Sequence, residues 1–222
     1  MRFYIFFLLV IAACACSRPQ ERTDEARSAP APAPPSTVQD NRRVLAVFGD
    51  SLSAGFGVEA GLSFPDFLQR KLDAEGYPWR VVNLGISGDT SEGGAARVDS
   101  AAALKPEIVI LELGGNDGLR GLPLKTTRQN LEQIIVTFQR SGAKVVLAGM
   151  TLPPNYGPDY IREFEKIYRE LAAKYNVKLI PFLLSDIVTR DLRYLQPDGI
   201  HPTAEGNKIV AGTVLRAIKP LL

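Results

Sequence analysis

The sequence predicts a three-layer α/β/α sandwich built on a mostly parallel five-stranded sheet, and three observations carry that expectation. Five short, unbroken apolar runs read as strands buried on both faces. Segments of ten or more residues with helical apolar spacing lie between them, which is the alternation of βαβ units joined by right-handed crossovers. The chain of 222 residues is 45% hydrophobic and 23% charged, ordinary for a globular protein, and shows no internal repeat.

The first strand is Val44–Phe48, ending at Gly49; the others are Val81–Leu84, Ile108–Leu113, Lys144–Ala148 and Val177–Ile180. Phe64–Glu75 places Phe64, Phe67, Leu68 and Leu72 on one helical face. Thr90–Leu104 is rich in alanine, and Thr127–Arg140 spaces Leu131, Ile134, Ile135 and Phe138 along a stripe. Asp159–Tyr175 repeats that pattern, and Thr203–Ile218 closes the chain. In such a sheet the ligand site belongs at the carboxyl ends of the strands.

The amino-terminal residues have a different character. Arg2 precedes the apolar run Phe3–Ile11 and the small residues Ala12 and Ala13, so residues 1–13 read as an export signal, shorter than the roughly 20 residues of a membrane-spanning helix. Ile11-Ala12-Ala13-Cys14 resembles the lipobox of bacterial lipoproteins, in which the cysteine is diacylated; the competing reading is an ordinary cleaved signal. Residues 14–40, with prolines among Ala, Ser and mixed charges, read as a disordered tether. Residues 41–222 remain for one domain. Export to the bacterial cell envelope and membrane attachment through Cys14 are the resulting expectations, with a monomer favoured.

Composition excludes several chemistries. Net charge is +2 with no Lys/Arg run, which leaves no electrostatic case for a nucleic-acid partner. Both cysteines, Cys14 and Cys16, precede the domain, and His201 is the only histidine, so no zinc site of Cys and His can form. No metal or cofactor is expected. A mechanism that needs a general base at neutral pH has to use His201.

The loops after the strands hold the reactive residues: Gly49-Asp50-Ser51-Leu52-Ser53, Gly85–Thr90, Gly114–Gly118, Thr151–Gly157 and Asp198-Gly199-Ile200-His201-Pro202. Asp198 lies three positions before His201, close enough to bind one imidazole nitrogen and leave the other free to take a proton. Ser51 is the hydroxyl such a base could activate. The plainer alternative is a histidine that merely satisfies its surroundings. Gly55–Gly61 only approximates a dinucleotide fingerprint, and neither a phosphate-binding loop nor a Gly-x-Ser-x-Gly elbow occurs. Asp50, Asp117 and Asp198 could instead gather Mg²⁺ for a phosphohydrolase. A binding module without catalysis is the third reading.

Gly49-Asp50-Ser51-Leu52, Gly85-Ile86-Ser87-Gly88-Asp89-Thr90, Gly114-Gly115-Asn116-Asp117 and Asp198-Gly199-Ile200-His201-Pro202 together resemble the SGNH (GDSL) hydrolases, whose sandwich is flavodoxin-like. The longer strings Leu113–Gly121 and Leu152–Gly157 are similar to the group of acyl-CoA thioesterases I, lysophospholipases and arylesterases. The resemblance implies Ser51 as nucleophile, His201 as base and Asp198 as its orienting acid. It implies an oxyanion hole of the Ser51 and Gly88 N–H groups and the Asn116 amide. It also implies an acyl groove flanked by Leu119, Leu122, Pro153, Pro154 and Tyr156, and a small acyl ester or thioester as substrate.

Overall fold

A computed structural model describes residues 40–222. The expected signal segment 1–13 and all but the last residue of the tether 14–40 lie outside the described residues.

The strands are β1 (Arg43–Gly49), β2 (Trp79–Asn83), β3 (Ile108–Glu112), β4 (Lys144–Ala148) and β5 (Lys178–Ile180). They form one sheet in the order β2-β1-β3-β4-β5, and every pairing is parallel. Central β1 and β3 have almost wholly buried side chains, which is why their sequences are continuous apolar runs. The edge strand β2 starts at Trp79, two residues before its apolar run. Trp79 is fully buried while Arg80 is half-exposed, and an edge strand has no need of apolar residues at every position.

The long helices are α2 (Phe64–Ala74), α3 (Ser91–Ala102), α5 (Leu124–Arg140), α6 (Pro158–Tyr175) and α8 (Ala204–Ile218). Helix α2 packs on α8, whereas α3, α5 and α6 pack in a row, giving a layer on each face of the sheet. Phe48 of β1 meets Phe138 of α5 edge-on at 5.3 Å between ring centroids, joining sheet and helix layer. Helix α5 begins at Leu124, three residues before the expected start at Thr127, and Pro123 stands at its N-cap.

Three short helices lie outside the sequence expectation: α1 (Ser51–Ala54), α4 (Gly115–Leu119) and α7 (Ser185–Val188). Each spans four or five residues, too few for apolar periodicity to show. Two of them, α1 and α4, follow β1 and β3 directly. The strand order reverses between those two neighbours, β1 leading out to β2 and β3 to β4, and such a switch point opens a crevice for a ligand.

Candidate active site

Ser51 is the first residue of α1, at the carboxyl end of β1. Asp50 caps the turn, its Oδ1 accepting from the Leu52 N–H at 3.1 Å. The Ser51 hydroxyl lies 2.8 Å from His201 Nε2, and His201 Nδ1 lies 2.7 Å from Asp198 Oδ2. Asp198 Oδ1 also accepts the N–H groups of Ile200 and His201, at 2.9 and 3.0 Å. Burial alone would raise the Asp198 pKa. The bonds from His201 and Ile200 outweigh it and hold the carboxyl below the usual aspartate value. Nε2 is therefore left facing the hydroxyl while Nδ1 faces a carboxylate, the arrangement a general base requires.

The histidine loop is fastened from both sides. Leu195 and Pro202 form an isolated bridge, and the Gln196 N–H donates to the His201 carbonyl at 2.7 Å. The Gln196 amide donates to the carbonyls of Phe56 and Pro202. The Phe56 ring lies 4.6 Å from the imidazole, centroid to centroid, although half of its own surface is open to water.

Three candidate oxyanion donors surround the hydroxyl. Among the described residues neither the Ser51 N–H nor the Gly88 N–H has an acceptor. Gly88 adopts φ +81°, a left-handed conformation that glycine enters without strain, and Arg120 holds its carbonyl at 3.0 Å. The Asn116 amide is already engaged: Nδ2 donates to Asp50 Oδ2 at 3.1 Å and to the Asp89 carbonyl at 2.9 Å. Its place is set by α4, which starts after Gly114 at φ +102°. A side chain at Gly114 would collide with the Tyr168 hydroxyl, 2.4 Å from the position of a Cβ.

Ser51, Gly88, Asn116 and His201 all open into one cavity of about 780 Å³, large enough for an organic ligand. Leu119, Pro153 and Pro154, of the two loops expected to flank an acyl groove, line it together with Met150, Leu184 and Ile200. Leu122 and Tyr156 lie on the same two loops but are not among the residues of its wall. The Leu122 N–H donates to the Asp117 carbonyl, and the Tyr156 hydroxyl donates to the carbonyl of the lining residue Leu119 at 2.7 Å.

The family model for the GDSL-like lipase/acylhydrolase family matches residues 47–209, from within β1 through His201 and into α8. The chain belongs to that family. It is 43% identical over 187 residues to the esterase TesA of Pseudomonas aeruginosa, spanning 84% of this chain and 92% of that protein. It is 39% identical over 181 residues to thioesterase 1/protease 1/lysophospholipase L1 of Escherichia coli, spanning 80% of this chain and 84% of that protein. The solved structure titled TesA superposes with a TM-score of 0.78 at 44% identity, over 81% of this chain and 100% of that one.

In this family member the three aspartates weighed as Mg²⁺ ligands do different work. Asp117 turns away to the start of α3, where its oxygens accept from the Ser91 N–H and hydroxyl and from the Thr127 hydroxyl. Asp50 serves Leu52 and Asn116, and Asp198 serves His201. Among the described residues no three His, Cys, Asp or Glu side chains gather as a metal site.

Sequence reasoning passed over Arg97, Gln196, Phe56 and Glu112. Arg97 donates to Asp89 Oδ2 and to the carbonyls of Leu84 and Gly49, tying the ends of β1 and β2 to the Gly88 loop, while its guanidinium covers the Phe48 ring. An arginine on an alanine-rich helix gives no signal of this. Phe56 had one, an aromatic in a glycine-rich stretch beside the serine.

Replacing Asp198 by Asn should leave the fold intact and lower kcat on an activated ester by roughly 10³–10⁴-fold, because the amide favours the wrong imidazole tautomer. A kcat within tenfold of the parent would show that Asp198 does not orient the base.

Proposed function

We propose that this acylhydrolase cleaves carboxylic esters and thioesters through an acyl-enzyme on Ser51. The observation that carries the reading is the continuous line Ser51–His201–Asp198, opening with two free N–H groups into an apolar-walled cavity. Ser51 attacks the acyl carbonyl while His201 Nε2 takes the hydroxyl proton, and Asp198 stabilises the imidazolium that results. The tetrahedral oxyanion is bound by the N–H groups of Ser51 and Gly88 and by the Asn116 amide, which shares one of its engaged hydrogens with the incoming oxygen. His201 returns the proton to the leaving alcohol or thiol. It then activates a water that attacks the acyl carbon and frees Ser51. No cofactor enters these steps.

The printed names of the relatives include esterase, thioesterase, lysophospholipase and, for a Vibrio mimicus protein 39% identical over 175 residues, arylesterase. They support aryl esters, acyl thioesters and lysophospholipids as the substrate range of this chain. The cavity wall fits an apolar acyl chain: among the described residues, Asp50 and His201 are the only ionisable side chains that line it. For cellular placement, the run Phe3–Ile11 followed by Ala12, Ala13 and Cys14 supports export to the envelope and a diacyl anchor on Cys14, which two chains would hold stably. Among the described residues no helix is long and apolar enough to cross a membrane.

Ser51→Ala should lower kcat for a p-nitrophenyl ester by about 10³–10⁶-fold, while EDTA leaves the parent enzyme unaffected. Undiminished turnover by the alanine variant would remove Ser51 from the mechanism, and loss of activity with EDTA would favour metal-assisted hydrolysis. For the anchor, Cys14→Ser should abolish palmitate labelling in cells; equal labelling of the variant would refute attachment at Cys14.

A further inference from the structure

A second acidic pair lies behind the nucleophile, and the mechanism above does not use it. Glu112 ends β3, paired in the sheet with Gly49, and its side chain is fully buried. Its Oε2 accepts three hydrogen bonds, from the N–H groups of Asp50 and Ser53 at 3.1 and 3.2 Å and from the Ser53 hydroxyl at 2.7 Å. The turn on both sides of Ser51 is thus held by one carboxyl oxygen. Its Oε1 has no donor among the described residues, and Asp50, the residue whose N–H its Oε2 accepts, carries a second buried carboxyl. Asp50, also buried, spends its oxygens on the Leu52 N–H and the Asn116 amide.

Two neighbouring carboxyls do not both ionise away from water, because each raises the cost of charging the other. A single proton removes the conflict and gives the orphaned oxygen a bond to make. We propose that Glu112 is a positioning residue that keeps a proton at neutral pH and donates it to Asp50, so that the pair carries one negative charge and sets the Asn116 amide for the oxyanion. The role of Asn116 in this statement rests on the function proposed above; the shared proton does not.

Burial and the neighbouring Asp50 push the Glu112 carboxyl well above its ordinary range, and burial pushes Asp50 upward too. The proton belongs to the pair as a unit. The other titratable groups around the pair leave it uncompensated. Asp117 of α4 turns to Ser91 and Thr127, and the Tyr168 phenol of α6 is driven far upward, first by burial, so it stays neutral. His201 faces Asp50 from the loop before α8, with its Nδ1 bonded to Asp198. Arg97 of α3 reaches the Gly49 carbonyl at 3.0 Å, but its charge is paired with Asp89.

The shared proton has a catalytic consequence. A carboxylate that accepts an O–H bond holds a second donor less strongly, so Asn116 can divide its hydrogen between Asp50 and an oxyanion. Loss of the proton would place two charges beside a developing third, and kcat should fall as pH rises through the apparent pKa of the pair. The substitution Glu112→Gln would keep a donor toward Asp50 and an acceptor for the three N–H and O–H groups, but the amide could not ionise.

The test uses the full-length protein and the variant Glu112→Gln. Infrared spectra at pH 7 should show the C=O stretch of a protonated carboxylic acid in the parent and not in the variant. This readout is independent of turnover, so it stands even if Ser51→Ala were to sink the esterase reading. In kinetics, Glu112→Ala should lower kcat by up to about 100-fold with a smaller change in KM, as misplacement of a catalytic group does. Glu112→Gln should restore most of that loss and lack the alkaline fall in kcat seen in the parent. Equal carboxylic-acid absorbance in the two proteins, or an unchanged alkaline limb in Glu112→Gln, would overturn the proposal.

Discussion

The active site depends on the parallel pairing of β1 with β3. That register sets Gly49 beside Glu112, so the loop bearing Ser51 and the loop bearing Asn116 leave the sheet as neighbours. The closeness leaves no room for a side chain at Gly49: a Cβ there would lie 2.2 Å from the Ser53 hydroxyl and 2.4 Å from Glu112 Oε2. Glycine at this position is what lets a buried acid reach across from one strand and hold the turn of the next.

Around that contact the remaining loops are drawn in by polar groups. Arg97 gathers the ends of β1 and β2 and the Asp89 side chain, and the Asp89 carbonyl in turn receives the Asn116 amide. Asp117 fixes the start of α3 to the same α4 turn that presents Asn116. A catalytic group displaced by about 1 Å can lose roughly 10²-fold in rate, which gives these anchors functional weight although none touches the cavity chemistry directly. They are also satisfied almost completely, as a buried polar network has to be. Glu112 Oε1 is one of three exceptions among the described residues, and the only one of them on a side chain bonded to the turn that bears Ser51.

Much of the fold was legible in the sequence because buried parallel strands and amphipathic helices write distinct apolar patterns. Val44–Phe48 and Ile108–Leu113 could scarcely be read otherwise. Trp79 and Arg80 escaped because an edge strand mixes polar with apolar residues, and α1 and α4 escaped because four or five residues make no period. At the site, Ser51, Asp198 and His201 were legible from chemistry, since one histidine with an acid three residues before it leaves few choices. Gly88 and Asn116 stood out only through the family resemblance. The directions of Tyr156 and Leu122 were not legible because loop sequence does not say which way a side chain turns, and the Tyr156 hydroxyl is drawn to the Leu119 carbonyl. Glu112 was hidden inside an apolar strand, where a lone acid reads as the end of the element.

The most direct measurement of the catalytic assignment is covalent trapping. The full-length protein treated with a p-nitrophenyl alkylphosphonate should gain the mass of one phosphonyl group, and peptide mapping should place it on Ser51, with loss of esterase activity in proportion to labelling. A stable adduct on another residue, or full labelling of Ser51 with activity retained, would contradict the assignment.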